Sequence, residues 1–89
     1  MKHKPLGSRN KRTLIAVFEL PVRADLEWTK VEGLLKALGA QLSEGKGSRV
    51  RVCLGGVRAV FHRPHPRKEM DKGSVRSVKE FLVRAGVTI

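Results

Sequence analysis

The chain contains few cysteines, few aromatic side chains and no long apolar run. Its single cysteine, Cys53, excludes an internal disulfide and any zinc site built from several cysteines. The longest mostly apolar stretch, residues 14–20, contains Glu19 and falls far short of the ~20 residues that span a bilayer. It is also too short and too polar for a secretory signal peptide. We therefore expect no membrane association and a cytoplasmic location.

Acidic side chains are scarce as well, with 8 Asp and Glu against 19 Lys and Arg in 89 residues. The net charge of +11 is uneven, because residues 1–12 carry +5, residues 13–45 carry −2 and residues 46–89 carry +8. A basic C-terminal half and an isoelectric point near 11.0 favour a polyanionic partner, most simply a nucleic acid. An acidic protein partner, or charge that serves only solubility, is the alternative.

The most regular pattern in the chain lies between residues 49 and 62 and predicts a β-hairpin. Gly55 and Gly56 predict a two-residue turn, because both central positions of the favoured turn need positive φ. That turn fixes the register, and one face then pairs apolar residues: Leu54 with Val57, Val52 with Ala59, and Val50 with Phe61. The other face pairs Cys53 with Arg58, Arg51 with Val60, and Arg49 with His62.

Two amphipathic helices flank this hairpin. The first is predicted to begin near Thr29, where Thr29 and Glu32 have capping-box spacing, and to end at Gly39. A short strand follows around residues 41–44, and the last helix is capped by Asp71 or Ser74. The order helix, three antiparallel strands, helix predicts an α+β fold like that of double-stranded-RNA-binding domains. Both helices would cover the apolar face of the sheet and leave the basic face open.

The N-terminal third is predicted to lie outside this minimal domain. Residues 1–12 have no apolar periodicity and are interpreted as a flexible basic tail. Residues 13–27 form a small N-terminal addition that Thr13 begins, that Pro21 interrupts and that docks on the core. Residues 28–89 form the main domain.

Three short motifs in the main domain resemble the HicA family of toxins. They are the Gly47-Ser48 turn before a basic strand, the pair His65-Pro66 after the last strand, and KGSV at residues 72–75 before an apolar helix. The sequence FHRPHP at residues 61–66 is closest to a longer branch of that family. The resemblance covers about residues 28–87. It implies an RNA-cleaving toxin that acts on mRNA without a cofactor and is neutralised by a HicB-type antitoxin.

One position departs from the family pattern. Typical members carry a histidine that is taken as catalytic directly after the Gly-Ser turn, and this chain has Arg49 there. His62, predicted to lie opposite Arg49, is the replacement candidate for proton transfer, because a histidine titrates near neutral pH. His65 is a second catalytic candidate, although its place between two prolines favours a loop-ordering role. His62 and His65 alone supply too few ligands for a zinc site, so we expect no metal.

The candidate RNA-binding residues are basic side chains on the open face and the turn before it. Arginine binds phosphate oxygens through its planar fork, and a Gly-Ser turn can expose backbone N–H groups to a phosphate. The candidates are Ser48, Arg49, Arg51, Arg58 and Arg63. Three functions stay open from the sequence: an endoribonuclease, a non-catalytic RNA-binding module of the same fold, and a scaffold whose basic face docks an acidic protein.

Overall fold

Three helices and one antiparallel sheet make up the chain in a computed structural model, which describes residues 5–89. The elements are α1 (Ser8–Phe18), α2 (Trp28–Ala37), β1 (Gln41–Glu44), β2 (Arg49–Leu54), β3 (Val57–His62) and α3 (Lys72–Arg84). The sheet has the order β1-β2-β3. The predicted α-β-β-β-α arrangement is therefore confirmed, with α1 as an additional helix. No helix within residues 5–89 is long and apolar enough to cross a membrane.

The hairpin has the predicted register at every position. Arg49 lies opposite His62, Arg51 opposite Val60, and Cys53 opposite Arg58. Gly55 and Gly56 form the turn with φ of 57° and 80°, a region that glycine enters without steric cost. The two-residue turn thus sets which side chains enter the core and which face outward.

The core lies between the sheet and the helices. Val50, Val52 and Phe61 are buried on the inner face of β2 and β3. Phe61 packs edge-on against Phe81 of α3, with ring centroids 5.6 Å apart, and lies 6.1 Å from the ring of Trp28. The remaining buried apolar residues come mainly from the helix stripes: Val31, Leu34 and Leu35 of α2, and Val75, Val78 and Leu82 of α3.

The beginning of α2 differs from the prediction. The helix begins at Trp28 with Glu27 as N-cap, and no side chain caps it. Thr29 lies inside the helix, so the capping box predicted for Thr29 and Glu32 is wrong. The helix start is held by backbone pairing instead, since the N–H of Trp28 donates to the carbonyl of Lys68 at 3.2 Å. This contact joins segments 40 residues apart, which local spacing does not reveal.

The beginning of α3 agrees with the prediction. Asp71 is the N-cap, and its carboxylate accepts a 2.7 Å hydrogen bond from the N–H of Ser74. This bond holds the pKa of Asp71 below its ordinary value, because it stabilises the ionised carboxylate. The cap fixes the point at which the loop after β3 becomes a helix.

Helix α1 begins earlier than the sequence suggested. It includes residues 8–12, which were predicted to belong to a flexible tail, while residues 1–4 lie outside the described residues. Thr13 does not cap it but lies inside it, where its hydroxyl donates to the carbonyl of Arg9 at 3.2 Å. Leu14 and Val17 are buried, and α1 packs against α2 and α3. This packing stabilises a polar first turn that has no apolar periodicity of its own.

Candidate nucleic-acid interface

The side of the sheet turned away from the helices carries the predicted basic surface. We call it the open face, formed by Gln41, Ser43, Arg49, Arg51, Cys53, Arg58, Val60 and His62. Arg51, Arg58 and Val60 border a shallow hollow of about 620 Å³ over its centre. Two arginines, one on β2 and one on β3, thus border the centre of the open face.

A second hollow of about 540 Å³ adjoins the first and contains the predicted arginine–histidine pair. Arg49, Arg51 and His62 line it together with Lys46 from the turn before β2. Arg49 and His62 are directly opposite each other on neighbouring strands and are both exposed. The structure therefore brings an imidazole together with three cationic side chains at a site open to a ligand. Lys46 is the member of this group that sequence reasoning missed.

The turn between β1 and β2 positions this hollow. The N–H of Gly45 donates to the carbonyl of Arg49 at 2.9 Å, and the N–H of Arg49 donates to the carbonyl of Lys46 at 3.1 Å. Gly47 has a φ of 62°. The N–H groups of Gly47 and Ser48 donate to no acceptor within the described part of the chain. Binding of an anion by these two amides, which the Gly-Ser motif suggests, stays a prediction.

Arg63 is held by carboxylates. Its guanidinium forms a bidentate contact with Glu44, with both N–O distances 2.7 Å, and lies 3.5 Å from Glu32 of α2. The ion pair with Arg63 lowers the pKa of Glu44, and the carboxylates raise the pKa of Arg63. The backbone N–H of Arg63 also donates to the carbonyl of Ser48 at 2.9 Å. Arg63 therefore contacts both ends of the turn, residues 44 and 48.

We call Arg63, Glu44 and Glu32 the Arg63 cluster. Sequence reasoning assigned Arg63 to phosphate binding and did not pair it with either acid. Its partners lie 19 and 31 residues away along the chain. The available signal was the rarity of acids near the basic strands, since Glu44 ends β1 within an otherwise basic region.

His65 lies beyond the sheet, in the loop before α3. A hollow of about 240 Å³ is lined by His62, Arg63, His65 and Asp71, so it adjoins the same histidine as the open face. His65 is exposed, and its side chain forms no hydrogen bond with another described residue. The two histidines therefore share one surface region.

A family model described as HicA toxin of bacterial toxin-antitoxin matches residues 28–87 of the chain. The chain belongs to the HicA toxin family. It is thus a toxin of a toxin–antitoxin system, and membership implies an antitoxin partner. No curated protein and no solved structure gives a significant match.

The match places the boundaries of the HicA domain on the structure. It begins at Trp28, the first residue of α2, and ends at Val87, after α3. Helix α1 therefore lies outside the matched region and packs against both helices of the HicA domain. Within residues 5–89, no group of three or more His, Cys, Asp or Glu side chains is arranged to hold a metal ion.

Proposed function

We propose that this HicA-family toxin is a metal-independent endoribonuclease that cuts mRNA and is neutralised by a HicB-type antitoxin. The observation that carries the proposal is the placement of His62 opposite Arg49 on a basic, exposed surface. Imidazole can transfer protons near neutral pH, and guanidinium stabilises the charge that develops on a phosphate. The family resemblance supplies the substrate class, and the net charge of +11 supports a polyanionic substrate.

The proposed reaction uses the 2′-hydroxyl of RNA as the nucleophile. The imidazole of His62 accepts the proton of this hydroxyl as the 2′-oxygen attacks the adjacent phosphorus. The P–O5′ bond then breaks, and the 5′-oxygen takes a proton, leaving a 2′,3′-cyclic phosphate and a free 5′-hydroxyl. His65, which shares a surface region with His62, is the candidate donor of that second proton.

The cationic side chains of the open face would bind the substrate. Arg49 and Arg51 line the hollow beside His62 and are assigned to the reacting phosphate. Arg58 lies further along the sheet and is assigned to a neighbouring phosphate, and the turn amide of Ser48 adds a neutral donor. We assign Arg63 to holding this turn, since two carboxylates already occupy its guanidinium.

A non-catalytic RNA-binding module is the second candidate function. One observation favours it, because Arg49 occupies the position at which typical family members carry their catalytic histidine. In that case the open face would bind RNA through the same arginines, and His62 would be an exposed strand residue without a chemical role.

Cleavage of a mixed RNA by the purified toxin in the presence of a chelator separates the two functions. The unsubstituted toxin is compared with His62→Ala and His65→Ala, and RNA affinity is measured for all three. We expect cleavage by the unsubstituted toxin, loss of cleavage in His62→Ala, and similar RNA affinity for both. Equal cleavage by His62→Ala would move the chemistry away from His62. Salt-sensitive binding without cleavage by any of the proteins would establish the binding module.

A further inference from the structure

The outer edge of β3 has no backbone partner among residues 5–89. In the order β1-β2-β3, this strand pairs with β2 on one side only. An unpaired strand edge presents a row of free N–H and C=O groups, and extended segments of other chains pair with such rows. This edge adjoins the open face at His62.

The hydrogen-bond ladder shows which groups point outward. Residues opposite each other in an antiparallel pair alternate between exchanging both backbone hydrogen bonds and exchanging none. The bond from the N–H of Arg63 to the carbonyl of Ser48 places residues 48 and 63 at a hydrogen-bonding position of the ladder, although at this end of the strands only one of the two bonds forms. Pairs 50/61, 52/59 and 54/57 are then bonded in the same alternation. The backbone groups of Arg58, Val60 and His62 consequently face away from β2.

The opposite edge of the sheet is shorter and partly occupied. By the same alternation, only Leu42 and Glu44 of the four-residue strand β1 direct backbone groups outward. The carbonyl of Glu44 already accepts a 3.2 Å hydrogen bond from Arg51, and its carboxylate belongs to the Arg63 cluster. The six-residue strand β3 is therefore the longer and freer edge.

The side chains along β3 define what kind of strand would fit. Arg58 and His62 flank Val60, whose side chain is 52% exposed although it is apolar. An added strand with acidic side chains opposite the two basic residues and an apolar one opposite Val60 matches this pattern. A second copy of the chain fits poorly, because antiparallel pairing about Val60 sets Arg58 of one copy opposite His62 of the other and so places no acidic side chain opposite either basic residue. Each copy also carries a net charge of +11.

We propose that the antitoxin binds this toxin by adding an extended acidic segment to β3 as a fourth strand. The backbone groups of Arg58, Val60 and His62 supply the hydrogen bonds, and the alternating side chains supply selectivity. The inference needs only the antitoxin that family membership implies and holds whether or not the toxin cleaves RNA. The added strand lies next to His62 and would shield the hollow that contains Arg49.

Amide hydrogen exchange of the complete toxin, free and in the complex purified after co-expression with its antitoxin, tests this inference. The inward amides of Ala59 and Phe61 should be protected in both samples, because they bond to β2. The outward amides of residues 58, 60 and 62 should exchange rapidly in the free toxin and slow at least about tenfold in the complex. Free-state exchange at these three amides in the saturated complex would overturn the proposal.

Two substitutions of Val60 provide the binding test. Val60→Pro removes an N–H that the sheet does not use, whereas Val60→Thr keeps this N–H and a β-branched side chain. We expect Val60→Pro to weaken antitoxin affinity at least about tenfold relative to Val60→Thr. Equal affinities would overturn the proposal, and if Val60→Pro does not fold, the exchange measurement decides. A dimer of the free toxin that protects the same amides would also overturn it, by making a second copy the occupant.

Discussion

On the inner face of the sheet, Val52 and Phe61 are buried beneath the helices, whereas their chain neighbours Arg51, Val60 and His62 are exposed on the open face. The two faces come from alternate residues of the same two strands. The inner face supplies the apolar burial that holds the fold together, and the open face supplies the charge that a ligand can use. From this difference we expect that substitutions of adjacent residues alter stability and the proposed function separately.

The largest expected effect is on the free energy of unfolding, when an aromatic ring of the inner face is removed. Phe61→Ala removes contacts with Phe81 and Trp28 and should lower the free energy of unfolding by about 3–5 kcal/mol. Val60→Ala, one residue earlier on the exposed side, should change it by no more than about 0.5 kcal/mol. Urea unfolding of the three proteins measures both values. Similar losses in the two variants would contradict the division between the faces.

A smaller effect, on the salt dependence of RNA affinity, is expected when a charge on the open face is removed. A plot of log RNA affinity against log salt concentration has a negative slope that grows with the number of phosphate contacts. If Arg58 contacts an RNA phosphate, Arg58→Ala should reduce the magnitude of this slope by about one. The free energy of unfolding of the Arg58→Ala variant should hardly change, because Arg58 forms no ion pair with a described residue. Arg76→Ala, an exposed charge on α3, is the matched control. An equal decrease in the magnitude of the slope in both variants would indicate that RNA affinity depends only on the net charge of the protein and not on contacts at the open face.

The smallest expected effect is on the pH dependence of stability, and it comes from the ion pair between Arg63 and Glu44 in the Arg63 cluster. Because Arg63 lowers the pKa of Glu44, the ionised carboxylate stabilises the fold above its ordinary pKa of 4.5. This stabilisation is lost as the pH falls through the lowered pKa. Glu44→Gln should therefore be slightly less stable than the unsubstituted toxin at pH 7, and the difference should shrink on acidification.

Urea unfolding from neutral pH down to about pH 3 follows this difference. Glu80→Gln is the control, since Glu80 is exposed on α3 and forms no ion pair with a described residue. A difference between Glu44→Gln and the unsubstituted toxin that stays constant over this pH range would show that the ion pair with Arg63 is not its source.

The hairpin could be predicted in full because its determinants are local. Alternation and the Gly55-Gly56 turn fix the register over fourteen residues, and Arg49 faces His62 as a direct result. The cap of α3 was likewise limited to Asp71 or Ser74 by local spacing, and in the structure Asp71 caps the helix by accepting from the N–H of Ser74 three residues away. Position on the open face thus follows from sequence, but the chemical role of each side chain there does not and stays a prediction.

The errors lie where distant segments meet. The predicted capping role of Glu32 is wrong, because α2 begins at Trp28, where the backbone pairs with Lys68. Glu32 instead faces Arg63, 31 residues further along. The first turn of α1 was missed because its apolar contacts begin only at Leu14, and its helical state depends on packing against α2 and α3. Local spacing contains neither fact, and both arise only once the sheet and helices are assembled.

The thiol of Cys53 can report on the accessibility of the open face. It lies on the central strand between Gln41 and Arg58, is partly exposed, and is the sole thiol in the sequence. Its rate of alkylation is therefore a footprint of whatever covers this face, readable by mass spectrometry on the natural sequence. RNA lying across the arginines should slow the reaction most, while a segment held only along β3 should slow it less.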